Sequence, residues 1–262
     1  MHSRRCPNPP GDVIHDLRHA HWDLGLGGIP LVLLHEGLGC LALWRDFPEA
    51  LGQSTGRQVW ALERRGHGGS APLGEEDFHP GWLDVEGLDR LPRHLDQLGV
   101  GPCVLIGHSD GGTMALLCAV AHPDRIRGVI TLAAHVTVDE HTVQGVRSAG
   151  ETFRTGTLAE RLRRYHGTRT ESLFWRWHDT WLSPAHRSWS LLDRLPQIRC
   201  PVLAIQGEDD PYGLPAQAEA IALATGGRSV LLPACRHAPH LEAREATLAA
   251  ITIHLAACTA PD

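Results

Sequence analysis

The stretch CVLIGHSDGGTMALL, residues 103–117, carries a serine across the junction between two kinds of sequence. Before it lies a run of β-formers, and after it a run rich in alanine and leucine. Gly107 and Gly111 flank Ser109 at two residues on either side. Where a buried strand turns straight into a helix, the serine of such a turn projects its hydroxyl from the sheet edge, and glycines remove the side chains that would collide with it. The backbone N–H that follows, that of Asp110, opens a helix, where a developing negative charge is favoured. In this setting Ser109 reads as a nucleophile rather than as part of a glycine-rich turn.

The rest of the chain supplies the setting. Six short apolar runs, 29–35, 58–63, 102–107, 126–134, 200–207 and 229–234, are nearly continuous rather than alternating. That pattern marks strands covered on both faces, as in a parallel sheet between helices. Residues 84–98 place Val85, Leu88, Leu91, Leu95 and Leu98 at helical spacing. Helices are also expected over 110–121, 215–225 and 240–257. Strand–helix alternation gives the α/β class, with a mostly parallel central sheet flanked by helices. One region, 139–192, holds no clear strand and is rich in arginine and tryptophan. It reads as a helical insertion, so that 1–138 and 193–262 form the core domain and 139–192 a cap.

Composition bounds the function. A net charge of −6 gives no electrostatic case for nucleic acid or an anionic membrane surface. No apolar run approaches the roughly 18 residues of a membrane span. The N-terminal residues lack the apolar stretch of a secretory signal. Seven cysteines without repeated spacing suit a reducing compartment, so the cytoplasm is expected. His15, His19 and His21 have a spacing that could hold a metal, but they lack a fourth ligand and read as surface histidines.

A serine nucleophile needs a base and an acid to orient it. The loop after the fifth run offers Glu208, Asp209 and Asp210, and the loop after the sixth offers His237 and His240. Serine, acid and histidine then follow one another at the carboxyl ends of successive parallel strands, the edge at which open α/β sheets gather their ligands.

Five motifs together carry a resemblance: HEGLG (35–39), ERRGHGGS (63–70), GHSDGG (107–112), GEDD (207–210) and RHAPH (236–240). The chain resembles α/β-hydrolase fold enzymes with an inserted helical cap, over nearly all of its length after about residue 20. The resemblance makes Ser109 the nucleophile, His237 the base and Asp210 the acid, with Asp209 and His240 as the second choices. It also implies an oxyanion hole formed by the N–H groups of Asp110 and Gly37, with Leu38 as the alternative to Gly37. Glu36 departs from the usual glycine at its position. The turn containing Arg64 and Arg65 is expected to brace loops near the site. Trp44 is expected in the core.

Glu36, Leu38, Trp175 and Trp181 are the residues expected to meet substrate, and Trp177 and Trp189 share the tryptophan-rich cap segment with them. The Asp110 carboxylate is expected in the first turn of the helix, where the dipole favours it; the functional alternative is that Glu36 and Asp110 repel anionic acyl groups. The expected activity is hydrolysis of a small or medium carboxylic ester, a small-molecule substrate, with no metal or organic cofactor. C–C bond hydrolysis of ring-cleavage products and a non-catalytic ligand receptor are the alternatives. Dehalogenase and epoxide hydrolase chemistry is disfavoured, because relatives with those activities carry aspartate at the elbow. Homo-oligomer formation is left open.

Overall fold

The computed structural model describes residues 12–14, 17–23, 27–77, 79 and 81–257. Among the described residues, eight strands form one sheet: β1 (Asp12–Ile14), β2 (Leu17–Trp22), β3 (Leu31–Leu34), β4 (Val59–Leu62), β5 (Cys103–His108), β6 (Ile126–Leu132), β7 (Val202–Gly207) and β8 (Arg228–Leu232). Their spatial order is β1-β2-β4-β3-β5-β6-β7-β8. All pairs from β4 to β8 are parallel, whereas β1 and β2 pair antiparallel at one edge.

The continuous apolar runs have a direct structural reason. Along β3, Leu31 and Leu33 enter one core while Val32 and Leu34 enter the other. The same alternation sends Cys103 and Leu105 of β5 one way and Val104 and Ile106 the other. Both faces are buried, so both sets must be apolar. Helices α1 (Phe47–Thr55) and α10 (Arg244–Ala257) cover the face of Leu31 and Leu33 through Phe47, Leu51, Ile251 and Leu255. The other face is covered by α3 (Leu91–Gln97), α4 (Asp110–Ala121) and α8 (Ala216–Thr225).

Three features differ from the sequence expectation. The helix expected over 84–98 is interrupted: α2 (Trp82–Val85) passes through a π-turn at Glu86–Arg90 before α3 begins. Pro92 explains the break, since its nitrogen has no proton to give and its ring crowds the carbonyl four residues back. That carbonyl, Leu88 O, meets His122 Nε2 at 3.4 Å instead. The helix expected over 240–257 likewise splits into α9 (Pro239–Glu242) and α10. The segment around His19 and His21 is strand β2, and the expectation of surface histidines fails at His19, which is buried beside the Trp60 indole, while His21 stacks on the same ring with centroids 3.9 Å apart. His15, the third of that trio, lies outside the described residues.

Between β6 and β7 stand three helices, α5 (Glu140–Arg154), α6 (Thr157–His166) and α7 (Thr170–Leu182). Asp139 starts α5 by accepting from Thr142 N at 2.8 Å. Val146, Phe153, Leu162, Phe174, Trp177 and Trp181 join Trp82 and Met114 in a third apolar cluster. No helix among the described residues is long and apolar enough to cross a membrane.

Candidate active site

Ser109 stands between β5 and α4 with φ 52° and ψ −120°, a conformation that side chains seldom adopt. Its neighbours permit it. A Cβ on Gly107 would run into the Gly111 carbonyl, and one on Gly111 into the Leu34 carbonyl, so the flanking glycines are required by close backbone approach. Ser109 N donates to Leu132 O at 2.8 Å, which ties the elbow to the end of β6.

The loops beyond β7 and β8 bring two more groups to this point. Ser109 Oγ lies 3.0 Å from His237 Nε2, and His237 Nδ1 lies 2.8 Å from Asp210 Oδ2. Asp210 is 3% exposed and accepts further bonds from Gln206 Nε2 (2.6 Å) and Tyr212 N (2.8 Å). Burial alone would push its carboxyl up, yet the His237 imidazole and the Tyr212 N–H bring it down to about 2. An ionised, buried carboxylate fixes the imidazole tautomer, with the proton on Nδ1 and the lone pair on Nε2 facing the serine hydroxyl. Asp209 is exposed, its N–H going to Cys235 O, and does not enter this chain of bonds. His240 is buried against Trp44, Phe47 and His108 rather than near Ser109 Oγ, and burial holds its pKa well below the usual value. Trp44, 1% exposed, is core as expected.

On the other side of Ser109 lies the HEGLG loop. Gly37 and Leu38 are the central residues of a turn closed by Gly39 N donating to Glu36 O at 3.0 Å. Its carbonyls are held from outside. Arg64 donates from one guanidinium nitrogen to His35 O and from the other to Glu36 O at 2.7 Å. His67 Nε2 meets Gly37 O at 3.0 Å. His166, at the end of α6, accepts from Gly68 N on Nδ1 and therefore donates from Nε2 to Leu38 O at 3.0 Å. The ERRGHGGS segment is thus a brace, and Glu63 holds it in turn by accepting from Gly69 N at 2.8 Å and Leu41 N at 3.1 Å. No acceptor among the described residues takes the backbone N–H of Gly37, Leu38 or Asp110.

A cavity of about 270 Å³ opens over Ser109 and His237. Glu36, Gly37, Leu38, Asp110 and Trp181 line it. Trp175 does not. Positions four apart share a helix face, so Trp177 and Trp181 both turn toward the cavity while Trp175 turns away. Its indole donates to Glu171 at 3.2 Å and lies under the Arg154 guanidinium. Trp189 packs on His186 and Trp181. The sequence reading missed His135, Tyr212 and Arg161, which also line the cavity. Arg161 lies one turn after Leu158 on α6 and carries no motif that marks it. A second cavity, about 350 Å³, lies behind Arg64 against Glu86, Arg90 and His94, away from Ser109 and His237.

Asp110 is 1% exposed, and its Oδ2 has no hydrogen-bond partner among the described residues. Burial pushes its carboxyl up to about 6, against the pull of Arg64, His237 and Arg176. Glu36 is placed differently: its Oε2 lies 3.2 Å from His108 Nδ1.

The comparisons agree with this architecture. A mouse protein named sn-1-specific diacylglycerol lipase ABHD11 is 34% identical over 102 residues, covering 39% of this chain and 31% of that protein. The chain therefore spans about a third of the length of that relative. Human serine hydrolase BPHL is 28% identical over 194 residues, covering 70% of this chain and 64% of its own. Among solved structures, a thermophilic esterase from Thermogutta terrifontis superposes with a TM-score of 0.71 at 23% identity, covering 93% of this chain and 95% of that one, a likeness of fold. The sequence profile of the alpha/beta hydrolase fold matches residues 29–193, and the chain belongs to that family.

Proposed function

We propose that the chain is a serine hydrolase acting on small carboxylic esters. The observation that carries this reading is the continuous hydrogen-bonded path from Ser109 Oγ through His237 to Asp210, at 3.0 and 2.8 Å. Ser109 attacks the ester carbonyl as His237 takes its proton, and His237 returns that proton to the leaving alcohol. Asp210 holds the ring and stabilises its charged form. The N–H groups of Gly37 and Asp110 receive the oxyanion. Water then cleaves the acyl-enzyme with His237 as base again. Residues 139–192 act as the cap over the site, through Trp177 and Trp181. The chemistry draws on no metal or organic cofactor, and a cytoplasmic setting suits the buried free thiols of Cys40, Cys103, Cys118 and Cys235.

The cavity's size suits a compact ester. The unpartnered Asp110 oxygen beside Ser109 favours neutral or cationic acyl parts, an amino group being its natural complement. One observation supports a second reading. Arg161 at the cavity wall gives an anionic substrate a cation to meet, as C–C hydrolysis of a ring-cleavage acid would require. An ester panel varying acyl length and charge, run beside a vinylogous diketone acid on wild type and Ser109→Ala, separates these readings. Turnover of amino-bearing or neutral esters that vanishes in Ser109→Ala is expected. Retained activity in Ser109→Ala overturns the mechanism, and fluorophosphonate labelling without turnover of any substrate would point to a ligand receptor.

A further inference from the structure

Two residues of the motifs meet in space, one from HEGLG and one from GHSDGG. Glu36 stands where related loops have glycine, and His108 precedes Ser109 in the elbow. His108 Nδ1 lies 3.2 Å from Glu36 Oε2, and His108 Nε2 lies 2.6 Å from the backbone carbonyl of His237. His108 is 3% exposed. A carbonyl oxygen can only accept, and so can an ionised carboxylate, so only an imidazole with a proton on both nitrogens can donate to both. A neutral ring would turn a lone pair against one of the oxygens. Gly39 belongs to the same device: a Cβ there would collide with the Glu36 carboxylate, so glycine lets that carboxylate fold back across the loop.

We infer that Glu36 and His108 form a buried ion pair that fixes the backbone of His237, and with it the reach of the His237 ring to Ser109. Both are positioning residues for the proposed hydrolysis, and the inference rests on that reading. The neighbouring backbone is held in a complementary way, since Glu242 accepts from Arg236 N at 2.8 Å and from Ala238 N at 3.0 Å. The N–H groups before and after His237 are thus tied to one carboxylate and the carbonyl between them to His108. The groups facing His108 are Glu36, His237 at 5.1 Å between ring centroids and His240 at 4.8 Å, with Asp210 beyond. Burial works against a charge on His108, but the Glu36 hydrogen bond and charge outweigh it and raise its pKa. Burial likewise opposes ionisation of Glu36, yet His108 keeps its carboxyl well below the usual range.

The test compares Glu36→Ala with Glu36→Gln, whose amide can donate to His108 Nδ1 while Nε2–H still holds the His237 carbonyl. With an aryl ester, Glu36→Ala is expected to lower kcat by about ten- to a hundredfold, the scale of a misplaced reacting group, with KM changed by less than about threefold. Its fluorophosphonate labelling slows in parallel, and Glu36→Gln recovers most of the loss. Wild-type kcat in Glu36→Ala, or a Gln variant as poor as the Ala variant, overturns the inference. Imidazole 15N resonances of wild type, assigned with His108→Gln, give a reading independent of how the variants fold: two protonated nitrogens on His108 at neutral pH support the pair, and one overturns it. A wild-type protein that turns over no ester and takes up no fluorophosphonate would sink the hydrolase reading instead, and the 15N result would still decide whether the pair exists.

Discussion

The indole of Trp177 lies across Gly37 so closely that a Cβ at residue 37 would stand 2.5 Å from its Cδ1, and would collide with the Asp110 carboxylate as well. A tryptophan from α7 and a glycine from the loop after β3 therefore define one wall of the cavity together. Gly37→Ala is expected to push both side chains aside and shift the donors beneath them. A fall in kcat/KM of about a hundredfold, comparable to losing one oxyanion donor, should accompany a much smaller change in thermal stability. Steady-state kinetics beside a melting curve checks this, and an unimpaired Gly37→Ala enzyme would remove Gly37 from the site.

Asp210→Asn should keep the fold and lose the tautomer control of His237, lowering kcat by about four orders of magnitude. Stability should fall too. The Asp210 carboxyl is brought from 3.8 to about 2 in the folded chain, so the native state favours its ionised form. A depressed carboxyl contributes fully above about pH 4 and loses that contribution as pH falls toward 2. The difference is worth about 2 kcal/mol at neutral pH, read by urea unfolding of both proteins at pH 7.

Asp110 should behave in the opposite sense. Its carboxyl is raised from 3.8 to about 6, so folding favours the protonated form. That penalty is absent below about pH 4, grows between pH 4 and 6, and reaches about 3 kcal/mol above pH 6. Asp110→Asn is expected to be more stable than wild type at pH 8, with the gap closing as the pH falls through 6. It should also lose its preference for amino-bearing over neutral acyl groups. Denaturant unfolding at several pH values, with paired kcat/KM values on two matched esters, tests both.

Trp177→Ala and Trp175→Ala should part company. The first opens the cavity and is expected to raise KM by about tenfold for apolar acyl groups, the scale of a lost buried aromatic contact. The second removes a ring that lies under Arg154 and beside Phe153, outside the cavity, and should leave KM unchanged while lowering stability. An altered KM in Trp175→Ala would contradict the observed direction of its side chain.

The positions of Ser109, Asp210 and His237 were legible because each follows a strand that announces itself by apolar content, at the same edge of a parallel sheet. β5, β7 and β8 end within a few residues of them. Strand β2, LRHAHW, which lies between β1 and β4, was not legible, because a strand with one partly open face does not need a continuous apolar run. The choice between Trp175 and Trp177 turns on the rotation of α7 about its own axis, which packing against Val146, Phe153 and Met114 decides. Three tryptophans within seven residues leave the face of that helix ambiguous from sequence. His135 and Tyr212 carry no motif, and only the folding of two loops over one elbow brings them to the cavity.

Every carbonyl from His35 to Leu38 is tied to a side chain from another part of the chain: Arg64, His67 or His166. A peptide plane whose oxygen is anchored cannot swing its nitrogen away. Under the proposed hydrolysis, the dipoles for a forming oxyanion would be aimed before substrate arrives, with little reorientation left for the moment of reaction. Because one of those anchors sits on α6, the aim of the loop is set jointly by the sheet and by the inserted helices. Loosening the inserted helices without touching Ser109, His237 or Asp210 should then blur the electrostatics of the site while leaving its chemistry formally intact.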